Sequence, residues 1–161
     1  MSRLVRFVGL WTVASALVVL GIPTAASAKD GFRALLTEDF AFYGCSVPVN
    51  PTVFDLCGTA TTNRGDASLT TVITSFAPLP SGCFADSHTT VLTFRGEHHD
   101  TVSFDISGTL CPTGGPNFSF SGKYKVAGGT GEYRKARGSG DVIGARQNGP
   151  IHTQLTGTLD D

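Results

Sequence analysis

The densest group of ionisable side chains in the sequence is Glu97-His98-His99-Asp100. Imidazole and carboxylate groups bind zinc and serve as general acids and bases, so the cluster could hold a metal or move protons. The four residues follow a predicted strand, and adjacent residues of a strand point to opposite faces. His98 and His99 would therefore not converge on one ion or substrate. The cluster is interpreted as the solvated tip of a hairpin, and no metal site is predicted.

Glu38 is the second candidate for chemistry, because four apolar residues lie on the same face of its predicted strand. These are Phe32, Leu36, Phe40 and Phe42. If that face points into the protein, burial disfavours the charged carboxylate and raises the pKa of Glu38, as in a general acid or base. A strand that is shifted or bulged by one residue would instead place Glu38 in solvent. The sequence leaves both alternatives open.

No other catalytic set can be assembled. His88 and His152 are expected on the solvent faces of other strands, and no Ser-His-Asp or Cys-His arrangement can be placed. Aromatic residues are the remaining candidates, because they alternate along two predicted strands. They are Phe104, Phe118, Phe120 and Tyr124. In an open interior they would line the site of an apolar or aromatic ligand, whereas in a closed interior they would fill the core.

Eight predicted strands have to position these side chains. Apolar residues recur with a period of two along most of the chain, and no 3.6-residue period is present. The strands are expected at about 32–43, 53–63, 67–77, 86–95, 101–111, 118–126, 139–146 and 151–159. Short connections without a crossover helix favour antiparallel neighbours. This pattern predicts a single all-β domain, either a calycin-like up-and-down barrel or a two-sheet sandwich.

A glycine-rich run, Val126–Gly140, links the sixth and seventh predicted strands. Glycine tolerates positive φ and lets backbones approach closely, so the run is expected to form a sharp corner. A dinucleotide fingerprint is excluded because Arg134 occupies the position of its third glycine, and a P-loop is excluded because no Gly-Lys-Ser/Thr is present. The residues expected to build the corner are Gly128, Gly129, Thr130, Gly131, Gly138 and Gly140.

The pattern G-G-T-G-x-Y-x-x-A-x-G-x-G, over Gly128–Gly140, resembles the signature of dirigent proteins and of bacterial allene-oxide-cyclase-barrel proteins. In that family the run lies between two late strands of an eight-stranded antiparallel barrel. The resemblance therefore implies a barrel rather than a sandwich. Allene oxide cyclases are similar in carrying an acid in an apolar barrel, although Glu38 does not align with that acid residue by residue.

The resemblance also implies that the barrel binds a small hydrophobic molecule. Dirigent proteins bias the outcome of a coupling reaction without redox chemistry of their own, and cyclases of this barrel type preorganise a reactive substrate in an apolar cavity. A ligand-free barrel that serves as a secreted structural or interaction module is a third alternative. No cofactor is expected, and an oligomer is compatible with the family, whose members are often trimers.

Residues 1–28 have the features of a secretory signal peptide. Arg3 and Arg6 precede the apolar stretch Phe7–Ile22. Ala26-Ser27-Ala28 then matches a cleavage site. Cleavage would leave residues 29–161 as one secreted, extracellular domain that no longer has a membrane segment. The formal net charge of the whole chain is −1, and both arginines leave with the peptide, so nucleic acid is not an expected partner.

The sequence contains four cysteines, and an even number in an exported chain predicts two disulfides. The closely spaced C-x-x-C pairs of zinc sites are absent. Residues that face each other in an antiparallel hairpin are equally distant from its centre. Cys83 and Cys111 are equally distant from Glu97, which lies in a predicted turn, so they are expected to pair. Cys45 and Cys57 then form the second predicted pair.

Overall fold

A computed structural model describes residues 31–40, 55–96 and 98–161, and this part of the chain is almost entirely β-strand. The strands are β1 Phe32–Phe40, β2 Asp55–Thr62, β3 Gly65–Pro78, β4 Phe84–Phe94, β5 Thr101–Gly114, β6 Asn117–Gly129, β7 Ser139–Arg146 and β8 Ile151–Gly157. A 3-10 helix, Gly131–Lys135, lies between β6 and β7. In the described ranges, no helix is long and apolar enough to cross a membrane. The predicted signal peptide, residues 1–28, lies outside the described residues.

The eight strands close into one barrel in the order in which they occur along the chain. Each strand pairs antiparallel with its neighbours, and β1 completes the circle by pairing with β8, where Leu36 faces Thr153. The structure therefore confirms the predicted all-β, up-and-down barrel and is incompatible with a two-sheet sandwich. Closure pairs both edges of every strand, which removes the open edges through which sheets aggregate.

The turn between β2 and β3 is tighter than the sequence pattern indicates. Thr62 faces Gly65 across the two strands, so only Asn63 and Arg64 form the turn. Gly65 has a φ of 119°, which glycine adopts without the steric cost of a side chain. Strand β3 therefore begins at Gly65, ahead of the predicted start at residue 67.

One residue in two along each strand points into the barrel, and in one half of the barrel these residues pack solidly. Phe32, Phe104 and Tyr124 form a cluster whose ring centroids are 5.4 to 6.4 Å apart. Leu92 and Leu155, in the same core cluster, are 0% exposed. This half, around the start of β1 and the end of β8, is called the closed half below. Its apolar contacts supply the main driving force for folding.

The 3-10 helix covers the end of the closed half. Tyr133 stacks on Phe94 with ring centroids 4.9 Å apart, and Tyr133 is 1% exposed. The carboxylate of Asp100 accepts a hydrogen bond from the backbone N–H of Glu132, with 3.2 Å between N and Oδ2. The glycine-rich run is therefore a corner that closes one end of the barrel.

Two glycines of the corner show why this run is rich in glycine. Gly131 has a φ of 54°, where any residue with a side chain is strained. Gly140 faces Gly157 across β7 and β8. A side chain at Gly140 would collide with the carbonyl oxygen of Thr156 and with the ring of Tyr124. The glycine pair thus leaves the space that the buried tyrosine ring occupies.

The predicted disulfide between Cys83 and Cys111 is confirmed, with the two Cα atoms 4.4 Å apart. It joins the start of β4 to β5, in register with the neighbouring pair Phe84 and Leu110. Cys45 lies outside the described residues, so its pairing with Cys57 stays a prediction. Cys57 itself takes part in a disulfide.

The glycine at position 140 is the basis of a first prediction. We expect Gly140→Ala to lower the free energy of unfolding by about 2 kcal/mol, because its methyl group would meet a backbone oxygen that cannot move without disturbing the ladder. Urea unfolding measures the change. Gly96→Ala is the matched control, since a methyl group there meets nothing within 4 Å. Equal stabilities for the two variants would contradict the packing described.

Candidate functional site

An open cavity of about 320 Å³ occupies the half of the barrel opposite the glycine-rich corner. This half is called the open half below. Its wall is mainly apolar and includes Leu56, Ile73, Leu110, Phe118, Phe120 and Ile151. Cavities with apolar walls and a few polar groups are the usual sites for small molecules.

Two inward-facing glycines explain why this half is not filled. Gly108 and Gly122 face each other across β5 and β6. A side chain at either position would collide with the ring of Phe120. The ring of Phe120 therefore packs over the glycine pair, in space that side chains at these positions would occupy. Space that a larger inward residue would fill remains open.

The four aromatic residues proposed as ligand-lining are divided between the two halves. Phe118 and Phe120 line the cavity. Phe104 and Tyr124 belong to the closed half, where they are 0% and 1% exposed and fill the core. The hydroxyl of Tyr124 donates to the carbonyl of Thr158 at 3.1 Å, and burial raises the pKa of Tyr124 to about 12. Tyr124 therefore stays neutral and structural.

Glu38 points into the open half, where it is 5% exposed. The hydroxyl of Thr71 donates to Oε1 at 2.7 Å, and the hydroxyl of Thr153 donates to Oε2 at 3.2 Å. The hydroxyls of Thr71 and Thr90 are themselves 2.7 Å apart. Three strands thus hold one carboxyl group in a fixed orientation in the cavity wall.

Gly58 allows this arrangement. It lies on β2 between Glu38 on β1 and Leu69 on β3. A side chain at Gly58 would collide with the carbonyl oxygen of Thr37. Gly58 therefore lets β1 and β2 approach closely at Glu38, whose carboxyl reaches across β2 to Thr71 on β3.

Burial raises the pKa of Glu38 above its ordinary value of 4.5. The hydrogen bond from Thr71, the charge of His88 and the hydrogen bond from Thr153 each oppose this rise without cancelling it. A carboxyl in apolar surroundings keeps its proton to higher pH than one in water. Glu38 is therefore equipped to donate a proton to a molecule in the cavity.

The prediction that His88 lies on a solvent face is wrong, because its side chain is 13% exposed and lines the cavity. Nδ1 of His88 lies 3.3 Å from Oδ2 of Asp86, and its ring contacts Phe120 with centroids 5.5 Å apart. The overlooked signal is strand parity, since His88 shares its face of β4 with the core residues Leu92 and Phe94. His152 is exposed, as predicted.

The described residues of the polar cluster at the β4–β5 hairpin are either exposed or used by the fold. His98 and His99 are exposed, and Asp100 holds the 3-10 helix. Glu97 lies outside the described residues. Within the described part of the chain, no three side chains of His, Cys, Asp or Glu are grouped so that they could hold a metal ion.

Fold and cavity together define the class: a disulfide-bonded, eight-stranded antiparallel β-barrel with an internal cavity. Comparisons of the chain with protein-family models, with curated proteins and with solved structures gave no match.

Glu38 gives a pH-dependent prediction. The pKa of Glu38 is higher in the folded protein than in the unfolded chain. The contribution of Glu38 to the free energy of unfolding is therefore complete below about pH 4.5 and is lost as the pH rises through the pKa of the folded state. Glu38→Gln removes this titration. We therefore expect the variant to gain stability relative to the wild type as the pH increases from 4.5, in urea unfolding at a series of pH values. A difference that does not change with pH would contradict a buried, protonated carboxyl.

Proposed function

We propose that this chain is an exported, disulfide-stabilised barrel that binds a small, mainly apolar molecule in the cavity of its open half. The observation that carries the proposal is the contrast between the two halves. The closed half is packed with buried aromatic and aliphatic side chains, whereas the open half keeps a cavity of about 320 Å³ with a mostly apolar wall. Such a cavity loses favourable packing contacts in the free protein, and an apolar ligand would restore them.

A dirigent-like role in the allene-oxide-cyclase-barrel family is the form of binding that we propose. The resemblance rests on Gly128–Gly140, and this run forms the corner between β6 and β7. In the proposed role the barrel orients an apolar molecule and needs no cofactor and no redox chemistry of its own. The mostly apolar wall of the cavity supports such a role, since orientation by shape requires close contact with few polar groups.

Export is part of the same proposal. The amino-terminal pattern of charged, apolar and small residues is typical of a signal peptide. The Cys83–Cys111 disulfide supports export, because disulfides persist mainly in oxidising compartments.

A cyclase or isomerase is the second candidate, and one observation favours it. Glu38 combines burial, a raised pKa and a position in the cavity wall, which are the properties of a general acid. For any identified substrate, unchanged turnover by Glu38→Gln would eliminate this candidate. The third alternative, a ligand-free structural module, gives no reason for the protein to keep a cavity.

The binding proposal is tested with N-phenyl-1-naphthylamine, a neutral apolar dye whose fluorescence increases in apolar surroundings. We expect the protein to bind one dye molecule in the open half. Ile73→Trp places a large ring in the cavity and should weaken binding at least about tenfold, or 1.4 kcal/mol. Native mass spectrometry of the secreted protein would show whether a natural molecule is retained.

Val72→Trp is the matched control, because Val72 precedes Ile73 on the same strand and is 41% exposed on the outer face. It adds the same side chain outside the barrel and should leave the dye affinity unchanged. If both tryptophan variants bind the dye as the wild type does, the cavity is not the site. If the wild type binds no dye, the proposed function fails.

A further inference from the structure

Among the described residues, Glu38, Asp86 and His88 are the ionisable side chains that line the cavity, and binding an apolar molecule uses none of them. Glu38 comes from β1, and Asp86 and His88 come from one face of β4. Ionisable groups are costly to bury unless they are paired. Their concentration in one cavity, together with hydrogen bonds that hold the Glu38 carboxyl, is the arrangement that acid–base chemistry requires.

Asp86 orients His88. Nδ1 of His88 lies 3.3 Å from Oδ2 of Asp86, and because a carboxylate only accepts hydrogen bonds, this contact favours the neutral tautomer that has its proton on Nδ1. This leaves the lone pair on Nε2. Nε2 makes no hydrogen bond to the described residues, and His88 lines the cavity, so a bound molecule can use that lone pair. The ring of Phe120, with centroids 5.5 Å apart, limits rotation of the imidazole.

Asp86 is difficult to explain as a structural residue. It is 6% exposed, and its Oδ1 has no hydrogen-bond partner among the described residues. A buried carboxylate with an unpartnered oxygen lowers stability. Such a group calls for an explanation, and a role in a site is one. Its contact with His88 gives Asp86 a use, since it fixes the tautomer and the direction of the imidazole.

Glu38 supplies the complementary group. Thr71 and Thr153 hold its two oxygens, and burial favours the protonated carboxyl. Glu38 and His88 line the same cavity from different strands of the barrel. One cavity therefore contains a proton donor on β1 and a proton acceptor on β4.

We propose that the cavity catalyses proton transfer on small ketones, with His88 as the base, Glu38 as the acid and Asp86 as a positioning residue. This inference rests on the proposed function, because the ketone has to bind in the same cavity. The apolar wall would hold the hydrocarbon part of the ketone, and the carbonyl oxygen would face Glu38.

The proposed reaction needs no cofactor. Nε2 of His88 takes a proton from the carbon beside the carbonyl, and the electrons of that C–H bond form a carbon–carbon double bond. The carbonyl oxygen takes the proton of Glu38, which gives an enol, a carboxylate and an imidazolium. In the second half the carboxylate takes back the enol proton while carbon takes one from His88. Where the imidazolium first exchanges its N–H proton with water, return to the same carbon replaces the hydrogen by one from the solvent, and return to the γ-carbon of an unsaturated ketone moves the double bond.

Cyclohex-3-en-1-one is the test substrate, because both outcomes can be followed on it. Conversion to the conjugated cyclohex-2-en-1-one is measured by ultraviolet absorbance, and hydrogen exchange in deuterated water by NMR. We expect the wild-type protein to accelerate both. His88→Gln and Glu38→Gln should each reduce the rate about 100-fold. His152→Gln is the matched control, because His152 is exposed on the outer face of β8, and it should keep the wild-type rate.

Asp86→Asn separates positioning from a merely structural role. We expect it to reduce the turnover of the ketone at least about tenfold while KM stays the same. Nitrogen-15 NMR of His88 gives an independent readout, in which the wild type shows the proton on Nδ1 and the variant loses that preference. An unchanged tautomer in Asp86→Asn would overturn the role of Asp86.

Ketone binding, by saturation-transfer NMR, and dye binding are measured on every variant. Retained dye binding also shows that a variant is folded. If the dye binds and the wild type does not accelerate the ketone reaction, the acid–base proposal is overturned and the binding function stands. The same holds if His88→Gln and Glu38→Gln both keep the wild-type rate. If neither dye nor ketone binds, the proposed function and this inference both fail.

Discussion

The pairing of β1 with β8 is the contact on which the rest of the molecule depends. It joins the first and last strands of the barrel, and the hydrogen bond that accompanies it, from Thr153 to Glu38, connects residues 115 positions apart. No short turn assists this pairing, so its entropic cost has to be met by the seven hairpin contacts around the circle. Once it forms, every strand has two partners, and the barrel has an interior separated from water.

The interior of the barrel has to stabilise the fold by close packing and also leave space for a cavity. The closed half buries Phe32, Phe104 and Tyr124 in contact with one another, and its packing offsets the cost of the open half. The open half contains a buried carboxyl held by threonine hydroxyls and a carboxylate with one unpartnered oxygen. The packed core and the cavity with its ionisable groups are thus placed at opposite ends of the same strands.

The fold was largely predictable from sequence, because it depends on local patterns. Alternation locates the strands, and the midpoint of the β4–β5 hairpin identifies the Cys83–Cys111 pair. The division of the interior was not predictable in the same way. Phe118 and Tyr124 share one face of β6, yet one lines the cavity and the other fills the core. The height of each residue along the barrel axis depends on the stagger between strands. Alternation with a period of two gives no information about this stagger.

The candidate site shows the same limit. The apolar residues around Glu38 indicate an inward carboxyl, although a one-residue bulge would have reversed it. The inward position of His88 can be predicted only by extending the alternation from the apolar end of β4 to its polar end. The apolar residues then decide which face of the whole strand points into the barrel. The roles of Gly58 and Gly122 depend on contacts across strands, and no spacing along the chain shows them.

The register of β1 and β8 also determines how the barrel can be attached to something else. Phe32 at the start of β1 faces Gly157 at the end of β8, so both ends of the barrel chain leave beside each other at the closed half. A tag, a linker or a second domain fused to either end would extend away from the cavity entrance. The protein could therefore be immobilised on a surface, or displayed on a carrier, with its cavity still open to the solution.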